Sequence, residues 1–173
     1  GFLVPSKGYE YATIKGHKCA IIVGDDLSRE RDFDQSVETV ISINARKYGK
    51  GTMTYRYEMM RNLAFVESKN LVLVNQVGGS TDIVYDGTSG ALNSRGELVL
   101  MMKNFEEDFQ IFDTKASARP ISIPSTYNDR TRLVYEAARC GLRDFFRKNG
   151  YRKASIGLSG GIDSAVVASI AAD

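Results

Sequence analysis

The chain has 173 residues with 23 basic and 21 acidic side chains, which give a formal net charge of +2. Because both signs are scattered, the charge pattern argues against a dedicated nucleic-acid face and against a basic membrane anchor. Hydrophobic residues make up 43% of the chain, which allows a sizeable core, yet no apolar run approaches the ~20 residues that span a bilayer. Two distant cysteines, Cys19 and Cys140, match no metal-ligand spacing and predict a cytoplasmic protein with reduced thiols.

Short strands are predicted through the first two-thirds of the chain, because apolar runs bounded by charge or glycine are typical of strands. These runs occupy residues 19–23, 40–44, 71–77, 82–85, 90–92, 97–102 and 107–112. Glycine-containing turns separate the later runs, so we expect an antiparallel meander there. Apolar residues at helical spacing predict a helix over 52–68, and the polar stretch 28–38 is compatible with a short helix.

A change of composition at residues 113–127 predicts a domain boundary. Two of the three prolines lie there, among few large apolar side chains. Beyond it, a capped apolar stripe predicts a helix that ends at Asn149-Gly150, followed by a strand over 154–158 and a new helix from Ile162. We therefore expect a first domain over 1–112, a linker over 113–127 and a second domain over 128–173.

The segment Ser159-Gly160-Gly161-Ile162-Asp163-Ser164 lies between that strand and that helix. At a helix N-terminus the first backbone amides have no partner and the dipole is positive, so phosphate oxygens bind there. The two glycines permit a sharp turn and a close approach of oxygen, and the two serines add hydroxyl donors. Asp163 can face a phosphate favourably only through a cation, which indicates bridging by Mg²⁺.

A plain strand–turn–helix joint is the alternative interpretation, in which Ser159 caps the helix and Asp163 complements its dipole. Six residues in this order and context favour a nucleotide site instead. They resemble the SGGxDS signature of the ATP-pyrophosphatase (PP-loop) family, which cleaves ATP between the α and β phosphates.

The flanking residues narrow this resemblance to one kind of PP-loop enzyme. Residues 135–137, 141–145, 148–151 and 156–165 look like the helix, strand and loop of glutamine-dependent NAD synthetase. Residues 73–79, 85–89 and 105–108 are similar to the late strands and closing segment of its nitrilase-like (carbon-nitrogen hydrolase) glutaminase domain.

This resemblance implies an α/β fold, in which the C-terminal part of a nitrilase-like αββα sandwich precedes the start of a Rossmann-like PP-loop domain. It also implies ATP-dependent amidation of deamido-NAD, with ATP and Mg²⁺ as cofactors and ammonia supplied by glutamine. The implied nucleotide-binding residues are Gly157, Leu158, Ser159, Gly160, Gly161, Ile162, Asp163 and Ser164, and Asp163 is also the implied metal ligand. The expected partners are ATP, deamido-NAD, ammonia or glutamine, and further copies of the chain, with no nucleic acid and no membrane.

The glutaminase part departs from the family pattern at its nucleophile. Where the family has a cysteine at the end of a strand, this chain has Gly24, which cannot form a thioester. Lys50 matches a family lysine that contacts glutamine, whereas Arg46 replaces a serine. We therefore do not expect this chain, which resembles a part of the family protein, to hydrolyse glutamine.

Three alternatives to a glutamine-dependent enzyme stay open. The chain could serve an ammonia-only NAD synthetase with an inert glutaminase domain, or a PP-loop enzyme with another acceptor such as tRNA. It could also be a non-catalytic nucleotide-binding assembly module. The even charge balance speaks weakly against tRNA, and release of AMP would separate the catalytic alternatives from the module.

Overall fold

The computed structural model of the protein describes residues 9–24, 33–114 and 119–173. Eight strands are described: β1 Glu10–Ile14, β2 His17–Val23, β3 Thr39–Asn44, β4 Asn70–Asn75, β5 Val77–Ser80, β6 Ile83–Asp86, β7 Gly90–Leu92 and β8 Leu98–Met101. The described α-helices are α1 Thr52–Glu67, α2 Arg130–Asn149 and α3 Ile162–Ala172, and a short 3₁₀ turn spans Ser125–Tyr127.

Six of the strands form one mixed sheet in the order β1-β2-β3-β4-β7-β8. The pairs β2–β3 and β3–β4 are parallel, and the outer pairs are antiparallel. Val23, Ile43 and Val74 stand in register, so the carboxyl ends of the three central strands meet at one edge. In open α/β sheets this edge is where ligands commonly bind.

Alternation along the strands places the main core on one face of this sheet. Ala20, Ile22, Val40, Leu71 and Leu73 are buried there, and their neighbours include buried side chains of α1. The opposite face is also apolar. Ile21, Ile41 and Val72 form one row across the strands, and the exposed side chains of Val23, Ile43 and Val74 form the next row. A central parallel strand that is apolar on both faces is typical of a sheet that is covered on both sides.

A separate antiparallel hairpin, β5–β6, carries the second packing unit. Helix α2 packs on this hairpin, and a smaller core of Phe105, Ala137 and Cys140 lies nearby. The helix begins because the Asp129 side chain accepts a hydrogen bond from the Arg132 amide at 3.0 Å. It ends at Gly150, whose φ of 71° is the left-handed conformation that glycine adopts without strain.

Most predicted elements are confirmed, including both of the longer helices and the strands over 19–23, 40–44, 82–85, 90–92 and 97–102. The predicted strand over 71–77 is confirmed only to Asn75, where β4 ends. The meander is confirmed in part, because β5 and β6 leave the main sheet and pair with each other. Strand β1 was not predicted from the sequence. The turn predicted at Gly78-Gly79 is wrong, because both glycines lie in β5 and pair with β6.

The predicted strand over 107–112 is wrong. The Asp108 carboxylate accepts hydrogen bonds from the Lys103 and Phe109 amides at 3.2 and 2.8 Å, so these backbone amides bond to a local side chain instead of a neighbouring strand. No described strand pairs with this segment, and Phe109 and Ile111 are 85% and 83% exposed.

Two other predictions are corrected. Residues 154–158 form no strand, because no described strand lies beside them to supply hydrogen bonds. Residues 33–38 form a turn rather than a helix, since the Asp34 carboxylate accepts from the Ser36 amide at 2.8 Å and the Asp34 carbonyl accepts from the Val37 amide. The rest of that predicted helix, 28–32, lies outside the described residues.

The domain boundary at 113–127 stays a prediction. Ile121 donates its amide to the Leu98 carbonyl at 2.8 Å, so part of this segment lies along the edge of the main sheet. In the part of the chain that the structure describes, no helix combines the length and apolar character needed to cross a bilayer.

Candidate nucleotide-binding loop

The loop 159–164 turns the chain from the extended segment 151–158 into α3. Gly160 has a φ of 84°, and no described atom lies within 4 Å of the place where a Cβ would be. Backbone strain, and not crowding within the protein, is therefore the local reason for glycine here. Gly161 is the N-cap of α3, in an extended conformation with φ −84° and ψ 161°.

The first amides of α3 are available to a ligand. The first intrahelical hydrogen bond runs from the Ala165 amide to the Gly161 carbonyl at 3.3 Å. The amides of Ile162, Asp163 and Ser164 precede it, and none of them has a hydrogen-bond acceptor among the described residues. Unpaired amides at the positive end of a helix dipole form an anion-binding site.

The two serine hydroxyls meet across this loop. Ser159 Oγ lies 3.2 Å from Ser164 Oγ, and Ser164 Oγ donates to the Gly161 carbonyl at 3.0 Å. Ser159 Oγ accepts from the Gly161 amide at 3.4 Å and makes no cap hydrogen bond to α3. The simple capping interpretation of Ser159 therefore has no support in the geometry of the loop.

Asp163 lies in the first turn of α3 with an exposed side chain, and it pairs with no described cation. No three His, Cys, Asp or Glu side chains cluster as a ready metal site within the described ranges. A lone exposed carboxylate beside free amides suits a cation that takes its remaining ligands from phosphate oxygens and water. Asp163 thus fits Mg²⁺ held jointly with a nucleotide.

The position of the loop depends on the packing of α3 on α2. The Tyr135 hydroxyl of α2 donates a hydrogen bond to the carboxylate of Asp173, the C-cap residue of α3. Gly157 and Leu158, which lead into the loop, are exposed. The structure thus brings all eight residues predicted to bind nucleotide into one continuous surface segment.

Gly24 directly follows β2, at the edge where the parallel strands end. Its φ is 69°, and no described atom lies within 4 Å of the point that a Cβ would occupy. Cys19 does not replace the missing thiol, because it is buried inside β2. Burial, with the nearby Glu38 carboxylate, raises the pKa of the Cys19 thiol, which disfavours the nucleophilic thiolate.

Lys50 lies beside a cleft that Gly24 does not line. It lines a cleft of about 760 Å³ between the start of α1 and the start of α2, together with Tyr55, Tyr127 and Arg130. Neither Gly24 nor Arg46 is among the residues that line this cleft. This cleft therefore does not join Lys50 to Gly24.

A buried polar network under the sheet edge was missed by the sequence reasoning. Arg56 donates two hydrogen bonds to the Asp86 carboxylate, at 3.2 and 2.7 Å, and Asn75 donates to the same carboxylate at 3.0 Å. Asn75 also accepts from the Arg46 amide at 2.9 Å, which ties the end of β4 to the end of β3. The signal available was a charged residue, Arg56, on the apolar face of α1.

A mixed sheet is thus joined through α2 to a loop whose free backbone amides suit a phosphate group. A family profile described as NAD synthase matches residues 134–173. The glutamine-dependent NAD(+) synthetase of Acinetobacter baylyi is 31% identical over 97% of this chain, which corresponds to 32% of that protein. The chain thus spans about a third of the length of this curated relative.

Solved structures agree with the sequence matches. Glutamine-dependent NAD+ synthetase from Acinetobacter baumannii, solved in complex with ADP, is similar with a TM-score of 0.78 and 29% identity, over 96% of this chain and 33% of that one. A carbon-nitrogen hydrolase from Helicobacter pylori shares the fold of the first part, with a TM-score of 0.53 and 18% identity over 61% of this chain and 43% of its own. The resemblance to glutamine-dependent NAD(+) synthetase and the predicted α/β fold class are therefore confirmed.

Proposed function

We propose that the chain contributes the ATP-pyrophosphate loop of a ligase that amidates deamido-NAD to NAD. ATP transfers its AMP part to the nicotinate carboxylate and releases pyrophosphate, and ammonia then attacks the acyl carbon and displaces AMP. The observation that carries this proposal is the group of three free amides at the start of α3, within the segment that matches the NAD synthase family. The ADP held by the Acinetobacter baumannii relative supports an adenine nucleotide as the ligand.

The loop provides the positive potential that the transfer needs. The amides of Ile162, Asp163 and Ser164 donate to phosphate oxygens, and the Ser159 hydroxyl, which lies beside the Ser164 hydroxyl, adds a further donor at the same surface. Fixed donors of this kind stabilise the charge that develops on the phosphates without having to reorganise during the reaction. Mg²⁺ at Asp163, when bound, neutralises phosphate charge and stabilises the pyrophosphate leaving group.

The proposed nucleotide-binding residues are Gly157, Leu158, Ser159, Gly160, Gly161, Ile162, Asp163 and Ser164. Among them Asp163 is the proposed Mg²⁺ ligand. The exposed backbone around Gly160 offers room for phosphate, since no described atom approaches its Cβ position within 4 Å.

The decisive experiment follows AMP and NAD together. The intact protein that contains this chain is mixed with ATP, Mg²⁺, deamido-NAD and ammonium chloride, and AMP, pyrophosphate and NAD are measured by chromatography. We expect the three products in equal amounts, with none in the absence of deamido-NAD. Nucleotide binding without AMP release would support the assembly-module alternative instead, and AMP release only with tRNA would support another acceptor.

Because position 24 carries glycine and no nucleophilic side chain, free ammonia is the expected nitrogen donor. A glycine at the nucleophile position cannot attack the glutamine amide, and the buried Cys19 is held in its thiol form. We propose that this chain belongs to an ammonia-dependent synthetase. Lys50 keeps the position of the family lysine that contacts glutamine, but no glutamine hydrolysis takes place there. NAD formation should therefore occur with ammonium chloride and not with ammonia-free glutamine.

A matched variant makes the donor test specific. Replacement of both described thiols, Cys19→Ser with Cys140→Ser, should leave the rate with ammonium chloride unchanged apart from stability effects. If glutamine supports NAD formation in the unmodified protein, a nucleophile outside Gly24 must act, and the inert-glutaminase proposal fails.

Assembly and location complete the proposal. The exposed apolar face of the main sheet, with Val23, Ile43 and Val74, is compatible with a homo-oligomer or with further β layers. Light scattering of the intact protein would measure its mass in solution. The free cysteines Cys19 and Cys140 are consistent with the reducing cytoplasm, and fractionation of cells would test that location.

A further inference from the structure

We propose that Asp144 is a positioning residue for the ATP loop: its carboxylate fixes α2 on the β5–β6 hairpin, so that the nitrilase-like layer sets the place of the loop. This inference rests on the proposed function. The nitrilase-like layer, which has Gly24 at the nucleophile position, would then still support the synthetase site.

The contact centres on one peptide unit of the hairpin. The Asp144 carboxylate is buried, with the residue 1% exposed, and accepts a hydrogen bond from the Gly79 amide at 2.8 Å. Lys148, one helical turn further along α2, donates its ammonium group to the Gly79 carbonyl. Both polar groups of Gly79 are therefore bonded to the same helix, and we call these two interactions the Gly79 clamp.

Three glycines make the clamp possible. A Cβ on Gly79 would lie 3.0 Å from the Gly141 Cα of α2, and a Cβ on Gly78 would lie 2.7 Å from an Asp144 carboxylate oxygen. A Cβ contact of 2.7 Å is closer than real Cβ atoms come, and one of 3.0 Å would require the helix to shift by a few tenths of an ångström, so glycine at these positions allows the close contact of helix and hairpin. Because α2 approaches the hairpin so closely, a shift of the helix along the hairpin would bring side chains into collision.

Burial of the Asp144 carboxylate costs free energy, so apolar residues would attach the helix more favourably. We infer that the carboxylate serves to fix the position of α2. Burial of a charge is unfavourable unless hydrogen bonds and opposite charges surround it. Here Arg143 Nε and Arg147 Nη2 lie 3.3 and 3.4 Å from the Asp144 carboxylate, in addition to the Gly79 amide. The buried hydrophobic residues of α2 are small, Ala137 and Cys140, so apolar packing alone defines its position weakly.

The hairpin itself is fixed to the sheet. The Gln76 amide, just before β5, donates to the Asn44 carbonyl at 2.9 Å, and the Gly87 amide, just after β6, donates to the Gln76 carbonyl at 2.9 Å. The start of the hairpin is thus tied to the end of β3, and its end is tied to β4, because the Asn75 side chain donates to the Gly87 carbonyl at 3.0 Å. The hairpin therefore links the edge of the main sheet to α2.

The loop depends on α2 for its own position. Residues 152–158 make no hydrogen bond to any described residue. Helix α3 packs on α2, and Tyr135 joins the C-cap residue Asp173 to the first half of α2. Within the described ranges, the chain of contacts from sheet to loop therefore runs through the Gly79 clamp.

The test compares two substitutions of Asp144 in the intact protein with a control on the same helix. Asp144→Asn keeps one oxygen that can accept from the Gly79 amide, whereas Asp144→Ala removes every acceptor. Glu136→Gln removes the 2.7 Å ion pair with Arg139 on α2, away from the hairpin. For each variant, the dissociation constant of ATP with Mg²⁺ is measured by calorimetry, and kcat and KM with ammonium chloride are measured at a temperature where circular dichroism shows the fold intact.

We expect Asp144→Ala to weaken ATP binding by about tenfold or more, with a smaller loss for Asp144→Asn and none for Glu136→Gln. The KM for ammonia should stay unchanged. A purely structural role would lower the melting temperature of Asp144→Ala but leave ATP affinity of the folded protein within about twofold, and that result would overturn the inference.

The binding measurement separates this inference from the proposed function. If the unmodified protein binds ATP but forms no NAD, the ligase proposal fails while the effect of Asp144 on ATP affinity still decides the clamp. If the unmodified protein binds no ATP, both fail, because the clamp has no nucleotide loop to position.

Discussion

The main sheet and the 159–164 loop treat their polar groups in opposite ways. Under the sheet edge, Arg56, Asp86 and Asn75 bond to one another in a buried network. At the start of α3, three backbone amides and two serine hydroxyls stand at the surface, and the amides have no described protein acceptor. Polar groups that are satisfied internally maintain the shape of a protein, whereas groups that are left open are available to a ligand. Substitutions in the first region should therefore change stability, and substitutions in the second should change nucleotide use.

Arg56→Ala should have the largest effect, and it should fall on stability. The substitution leaves the Asp86 carboxylate buried without its bidentate partner, which costs about 3–5 kcal/mol of unfolding free energy. Chemical denaturation followed by circular dichroism would measure this loss. Arg61→Ala, at an exposed position on the same helix, should cost less than about 0.5 kcal/mol, and equal losses for the two would show that the buried network has no special weight.

Gly160→Val should abolish most ATP use with a much smaller effect on the sheet. A branched side chain would project into the space near the free amides, and we expect kcat/KM for ATP to fall about a hundredfold or more. Gly150→Val is the matched control, because Gly150 also has positive φ and open space at its Cβ position but lies at the end of α2. Retention of ATP affinity in Gly160→Val would mean that the loop does not hold phosphate.

Asp163→Asn should reduce Mg²⁺-dependent ATP use about tenfold or more. The unfolding free energy should fall by only about 0.3–1 kcal/mol, the worth of an acidic side chain in the first turn of a helix. Titration of Mg²⁺ at fixed ATP would show a higher metal requirement. Asp129→Asn makes the same chemical change at the N-cap of α2, where Asn caps about as well, and a similar loss of ATP use there would refute a metal role for Asp163.

The smallest effect concerns the pH dependence of the Gly79 clamp. Burial alone would raise the pKa of Asp144, but the Gly79 amide and the neighbouring Arg143 and Arg147 outweigh it, so the pKa lies below its usual value. A lowered pKa in the folded state contributes stability above the unfolded value of about 3.9, and this contribution disappears as the pH falls through the folded value. The stability difference between the unmodified protein and Asp144→Asn should accordingly be largest near neutral pH and shrink in acid. A difference that grows as the pH falls would contradict the assignment.

The elements that sequence reasoning found are those that local pattern determines. The strand over 40–44 is apolar at Val40, Ile41 and Ile43, and α2 carries its own N-cap at Asp129 and its own stop at Gly150. The segment 107–112 has a similar apolar composition, but its Asp108 side chain binds the Lys103 and Phe109 amides, an interaction that the apolar pattern does not record. Pairing with a neighbour, rather than composition, decides whether an apolar run becomes a strand.

The candidate site shows the same division. The loop could be predicted because its six residues are consecutive and their chemistry follows from a helix start. The Gly79 clamp could not, because Asp144 and Gly79 are 65 positions apart in sequence and each alone resembles an ordinary helix acid and an ordinary turn glycine. Long-range partners of this kind become visible only when the fold is known.

The close contact of α2 with the hairpin also restricts how this part of the protein can evolve. A side chain at Gly79 would collide with Gly141, and one at Gly141 would press on Val84 at 3.1 Å, so neither position can accept a larger residue while the other surface stays as it is. Accepted changes at these positions should therefore arise together, with a smaller residue at Val84 or a displaced helix compensating for each gain in volume. In related chains that keep the helix–hairpin contact, we expect glycine at both places.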